Sequence, residues 1–255
     1  MNKLWGRSVG FAAALVVAAL AIAGMAAAAP WQHVRGGEVE VEYNGGFSPK
    51  KLSKTKPTPI TFNVAAKIKS LSTTEPHPPA LREFLIEGDK HGSLHVEGIP
   101  ACKSGEIQST TTEAARKACG PSLIGSGKTD VEVKFPEQPP FIAHSELLAF
   151  SGGSKGGVTT LFVHAFLTAP VTAAVVTTVK VKKIHKGRYG LLSTATIPKI
   201  AGGAGSVVFF TLTLKKGIIR ATCTDGKLQA RGTAIFAGTS PKLTGTVTRP
   251  CTPKG

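Results

Sequence analysis

Short runs in which every second residue is apolar, each closed by Gly, Pro or Lys, limit what this chain can become. EVEVEY (Glu38–Tyr43) puts Val39, Val41 and Tyr43 on one face, and TDVEVKF (Thr129–Phe135) does the same with Val131, Val133 and Phe135. A period of two is that of a β-strand, whose successive side chains point to opposite faces. PITFNVAA, REFLIEG and SLHVEGI lie between these runs. ELLAF, VTTLFVHAF, VTAAVVTTVKV, GLLSTATI, SVVFFTLTL, GIIRATC, LQARGTAIF and LTGTVT follow them. Val, Thr, Ile and Phe between recurrent turn residues predict an antiparallel all-β fold, with a β-sandwich as the first architecture and a barrel as the second. Continuous apolar pieces such as SVVFF suit strands covered on both faces. No period of the solenoid or propeller kind is present.

One short helix is predicted near 111–119. Thr110-x-x-Glu113 has the form of a capping box, Ala-rich residues follow, and Gly120 and Pro121 end it. The glycines of CGPSLIGSGKT (119–129) then read as a turn leading into a strand from Thr129. SGGSKGG (Ser151–Gly157) reads as a hairpin tip, because strand-like sequence resumes on both sides. Residues 29–255 are accordingly one domain, the alternative being two β units split near 151–157.

The N-terminus has the three regions of a secretory signal peptide: Lys3 and Arg7, an apolar run from about Val9 to Ala23, and a small-residue tail. Ala26-x-Ala28 fits a cleavage site, so residues 1–28 are expected to be removed. The remaining 227 residues carry Cys102, Cys119, Cys223 and Cys251. In an oxidising compartment four cysteines read as two disulfides. Of the three possible pairings, the local ones, Cys102–Cys119 and Cys223–Cys251, are preferred. Each would stabilise the fold by about 3 kcal/mol in the chain-entropy picture. Neither pair has the CxxC or HxxxH spacing of a structural zinc site.

The formal charge is +16, and it is lopsided. Residues 147–255 hold 15 basic side chains against the single acid Asp225, whereas residues 1–146 hold 16 against 14. Such a field attracts polyanions. The basic candidates are Lys180, Lys182, Lys183, Lys186 and Arg188 in VKVKKIHKGR, and Lys215, Lys216 and Arg220 in LKKGIIR. Strand alternation breaks at Lys183, which predicts a bulge or the strand end there. The same lysines could instead protect a sheet edge from aggregation.

Motifs of catalysis are weak. GSGKT lacks the first Walker glycine, since Ser122 stands in its place, and a strand pattern follows where the phosphate-holding helix should start. Gly152-x-Ser154-x-Gly156 matches a nucleophile elbow only in letters, because no helix follows Ser154. Ser48-Pro-Lys-Lys51 matches Ser-x-x-Lys with no helix around it. His91 and His95, four apart in a strand-like stretch, would stand about 13 Å apart, too far to share a metal. Glu87 and Asp89 share a strand face, but the second half of the chain offers almost no acids to pair for hydrolysis. No catalytic residue, metal site or cofactor motif is assigned. After residue 28 only Trp31, Tyr43 and Tyr189 represent Trp and Tyr. That scarcity disfavours aromatic platforms for sugars and sequence-specific readers of nucleic acid.

KGRYGLLSTATIPKIAGGAGSV (Lys186–Val207), CTDGKLQARGTAIFAGT (Cys223–Thr239), GSLHVEGIPAC (Gly92–Cys102) and CGPSLIGSG (Cys119–Gly127) resemble a family of exported proteins from Actinobacteria. That family carries no assigned activity, so the resemblance implies export and paired cysteines only. Three functions follow as expectations. The first is a secreted cell-envelope binding or structural protein whose basic half contacts an anionic wall polymer or an anionic lipid surface. The second is an envelope hydrolase with an unrecognised site. The third is a carrier of an apolar ligand between the sheets, which a large apolar internal cavity would favour.

Overall fold

The computed structural model describes residues 30–169, 172–238 and 241–254, so the predicted signal peptide lies outside the described residues. The alternating stretches form strands. In the first half these are β1 (Gln32–Gly36), β2 (Val39–Ser48), β3 (Lys51–Ser53), β4 (Thr58–Ser70), β5 (Leu81–Asp89) and β6 (Gly92–Leu94). Two helices, α1 (Ser104–Ile107) and α2 (Thr112–Cys119), precede β7 (Leu123–Val133), β8 (Phe141–Lys155), β9 (Val158–Leu167) and β10 (Ala173–Lys186). The chain ends with β11 (Tyr189–Thr196), β12 (Gly205–Ala221), β13 (Lys227–Phe236), β14 (Leu243–Pro250) and β15 (Thr252–Lys254).

Twelve strands make one antiparallel sheet in the order β1-β2-β4-β12-β7-β8-β9-β10-β11-β5-β13-β14. β14 comes round to lie beside β1 and β2, so the sheet is nearly closed and barrel-like. The all-β class is the predicted one, in the barrel arrangement. Strands before and after 151–157 interleave, with β12 between β4 and β7 and β5 between β11 and β13, so one ladder runs round the molecule. β6 pairs with β12, and β15 pairs in parallel with β3.

Polarity is sorted by strand parity. Val41, Tyr43, Ala149, Leu161, Val179 and Val247 turn inward and are buried. The outward face carries charge ladders, including Glu42 with Lys67 and Lys69, and Glu87 with Arg231 and Lys186. Barrel diameter grows with strand number, and about eight strands already give an interior that side chains only just fill. Twelve strands therefore leave room inside.

Several local expectations are corrected. The chain after Cys119 does not turn through its glycines: a 3-10 turn at Gly120–Ser122 leads straight into β7, six residues before Thr129. Gly125 and Gly127 lie within that strand, pressed on β12. A Cβ at Gly127 would sit 1.8 Å from the Thr211 carbonyl oxygen, so glycine here serves close backbone approach. The cap of α2 is Thr111, whose hydroxyl accepts the Ala114 N–H at 3.2 Å, one residue after the expected Thr110. β10 is flanked by β9 and β11, so its lysines protect no edge, although the register does shift between Lys183 and Lys186. The hairpin at 151–157 forms, with Gly156 and Gly157 both at positive φ in the tight turn.

Both disulfides take the local pairing, with Cα–Cα distances of 5.5 Å for Cys102–Cys119 and 6.1 Å for Cys223–Cys251. The first ties the segment after β6 to α2, which packs with Ile107, Ala115, Leu148 and Phe150 on the outside of β8 and β9. The second joins the ends of β12 and β14 around Leu52, Ile60 and Leu228.

Candidate functional site

The barrel encloses a cavity of about 300 Å³ with an overwhelmingly apolar wall. Its size falls at the lower end of the roughly 300–1,000 Å³ typical of small-molecule pockets. Small side chains at inward positions leave it room: Ala195 and Ser193 on β11 and Ala230 on β13. Val64, Val163, Thr177, Leu212 and Ala195 point inward yet remain only half-buried, as residues facing a void must. Packed clusters close the two ends. Val39, Val41, Ile68, Leu81, Phe236 and Leu243 fill the end where β2, β5 and β14 begin. At the opposite end Val96 and Leu94, from the segment stapled at Cys102, pack with Ile218 and Leu214 as a cover.

The seam is held by side chains. Gly232 and Gly245 are register partners on β13 and β14, and the ring of Tyr43 from β2 lies across both. The Tyr43 hydroxyl donates to the Leu243 carbonyl at 2.5 Å and accepts the Ala234 N–H at 3.2 Å. Burial pushes this phenol well above its ordinary value. Further along the seam Arg249, inward-facing on β14, donates from Nε to the Gly45 carbonyl at 2.7 Å and from Nη2 to Asn44 Oδ1 at 2.7 Å. Sequence reasoning missed Tyr43 and Arg249 as site residues. The strict alternation of LTGTVTRP, with Arg249 in phase with Leu243 and Val247, was the signal that Arg249 faces inward.

The structure disperses the predicted basic cluster. Lys180 and Lys182 project outward from β10, Lys186 pairs with Glu87, and Arg188 is neutralised by Asp89 and Asp225. Lys215 donates to the Leu123 carbonyl, while Lys183, Lys216 and Arg220 are exposed. Three strands separate β10 from β12, which puts the two groups roughly 19 Å apart along the sheet at about 4.8 Å per strand.

One Ser–His–acid relay appears that the sequence did not suggest. Glu132 on β7 meets His77 Nδ1 at 2.7 Å, and His77 Nε2 lies 3.2 Å from Ser206 Oγ on β12. Ser206 is 1% exposed and donates its hydroxyl proton to the Pro78 carbonyl at 2.7 Å. A nucleophile must be reachable by substrate and must give its proton to the base. Here the proton is committed elsewhere and the oxygen is covered, so the trio anchors the Pro-rich 76–79 loop to the barrel.

The other singled-out groups do no shared chemistry. Ser154 bonds Thr159, His91 meets Asp89, and His95 meets Ser93, each histidine in its own local contact. Lys128 is an exposed residue of β7. His33, Glu40 and Glu42 approach one another closely enough to share an ion, but Arg35, Lys67 and Lys69 already balance the carboxylates. No helix among the described residues is long and apolar enough to cross a membrane. No family model, curated protein or solved structure matches this chain.

Proposed function

We propose that this protein is an exported binding protein that carries one apolar small molecule inside its barrel. The apolar cavity of about 300 Å³ supports this reading. A wall this apolar gives water few of the hydrogen bonds it leaves behind, so it favours apolar molecules. Disulfides fit an oxidising compartment, where a molecule poorly soluble in water needs a vehicle between surfaces. The exposed Lys180 and Lys182 support a subsidiary role for the outer face in meeting anionic envelope surfaces. The buried Ser206 weighs against the hydrolase alternative.

The neutral dye N-phenyl-1-naphthylamine tests the proposal, since its emission rises on entering an apolar site. Saturable binding with one dye per chain, abolished by Ala195→Phe, is the expected result. Ala195 packs against the clusters at both ends of the cavity, so a phenyl ring there occupies the space between them. No saturable binding, or equal binding to the filled variant, would overturn it.

A further inference from the structure

The guanidinium groups of Arg35, Arg116, Arg188 and Arg231 each meet a carboxylate. Arg82 and Arg220 meet none among the described residues but are exposed, whereas Arg249 meets none and is buried. It is 8% exposed, lines the apolar cavity, and among the described residues its hydrogen-bond partners are neutral: the Gly45 and Thr248 carbonyls and the Asn44 amide oxygen. A buried cation without an anionic partner is costly, and natural proteins seldom leave one uncompensated. Three of the five guanidinium N–H groups are used, so two remain to offer.

A second cation stands by. Lys50 follows β2, and its Nζ sits 3.9 Å above the ring of Phe47, itself a wall of the cavity. Burial, with the Arg249 charge behind it, holds the Lys50 ammonium below its ordinary value, which places the two positive charges in one neighbourhood. Neither makes an ion pair among the described residues. An apolar chamber with an uncompensated cation in its wall and an exposed second one close by is complementary to an amphiphile, a hydrocarbon tail ending in an anionic head.

Building on the carrier reading, we infer that the ligand is a carboxylate-headed amphiphile whose head docks on Arg249, with Lys50 beside it, and whose tail lies in the barrel. A planar guanidinium matches a carboxylate through parallel N–H···O bonds, and such charge-assisted bonds are stronger than neutral ones.

Dodecanoate, 1-dodecanol and dodecyltrimethylammonium share one tail and differ in head. Each is titrated below its micellar concentration at pH 8 against the bound neutral dye on the full disulfide-bonded chain. Dodecanoate is expected to displace dye at concentrations at least tenfold lower than dodecanol, with the ammonium weakest. In Arg249→Met that ratio falls to near one while dodecanol is unchanged, and exposed Lys50→Gln lowers it severalfold. Equal displacement by the acid and the alcohol in the wild-type protein overturns the inference and leaves the carrier reading standing. Failure of the dye and of all three compounds to bind overturns the carrier reading itself. Should Arg249→Met fail to fold, the wild-type ratio and Lys50→Gln decide: a preference for acid that Lys50→Gln leaves intact counts against the docking site.

Discussion

Placing a methyl group under the Tyr43 ring probes how the barrel is closed. At Gly245 a Cβ would lie 2.5 Å from Cδ2 and 3.0 Å from Cε2 of Tyr43, well inside contact distance. At the cross-strand partner Gly232 it would lie 2.8 Å from both Cδ1 and Cε1. The ring cannot shift away from one glycine without meeting the other, and its hydroxyl is held between Leu243 and Ala234. Overpacking of this kind costs about 1–3 kcal/mol. Gly245→Ala is therefore expected to lower the thermal midpoint by roughly 4–8 °C for about 2 kcal/mol in a domain of this size. Tyr43→Phe keeps the ring and strands the two buried backbone groups, for about 1–3 kcal/mol. The decisive experiment is a double-mutant cycle by urea denaturation with far-ultraviolet circular dichroism. If the cost of Gly245→Ala comes from the ring, it disappears in a Tyr43→Ala background, giving a coupling of at least about 1 kcal/mol. Additivity within about 0.5 kcal/mol would show that the glycine matters for another reason and refute the clasp.

The other predictions concern pH, the cover and the relay. The Arg188 guanidinium pulls Asp225 down to about 2, and Arg35, Lys69 and Arg231 hold Glu40, Glu42 and Glu87 below the usual range. Carboxylates depressed in the folded state contribute stability that is complete above their unfolded values near 4 and is lost as pH falls toward 2, so urea midpoints should decline across that window. Burial also lowers His164, whose Nε2 hydrogen-bonds the Thr110 carbonyl and whose buried Nδ1 has no partner among the described residues, so a separate decline begins as pH falls below about 6.5. His164→Leu should flatten that upper decline and leave the acid one. Cys102→Ser/Cys119→Ser releases the segment covering one end, and stopped-flow dye exchange should quicken while the equilibrium stability drops by about 3 kcal/mol; unchanged exchange would deny that segment a gating role. A fluorophosphonate probe should leave Ser206 unlabelled in the native protein, and labelling there would restore the hydrolase reading.

Much of the fold was legible because alternation is a local signal: EVEVEY and LTGTVTRP declare their inward faces without reference to any neighbour. Closure was not legible, since the strands of a sandwich and of a barrel alternate alike and only the non-local pairings of β12 and β5 distinguish them. The glycines after Cys119 misled for a related reason. Glycine marks both turns and places where two backbones touch, and here the Thr211 carbonyl, far along the chain, decides which. Part of the charge asymmetry is balanced in three dimensions by acids far along the chain: Lys186 meets Glu87, and Arg188 meets Asp89 as well as Asp225. The cation that bears on the proposal, Arg249, drew no notice as a single basic residue outside any run.

A crystal structure of the protein grown with dodecanoate is the sharpest test of a ligand carried inside the barrel. One hydrocarbon chain is expected inside the barrel, passing Ala195 and Val64, with its carboxylate on Arg249. A barrel left empty while dodecanoate binds only the outer surface would contradict it.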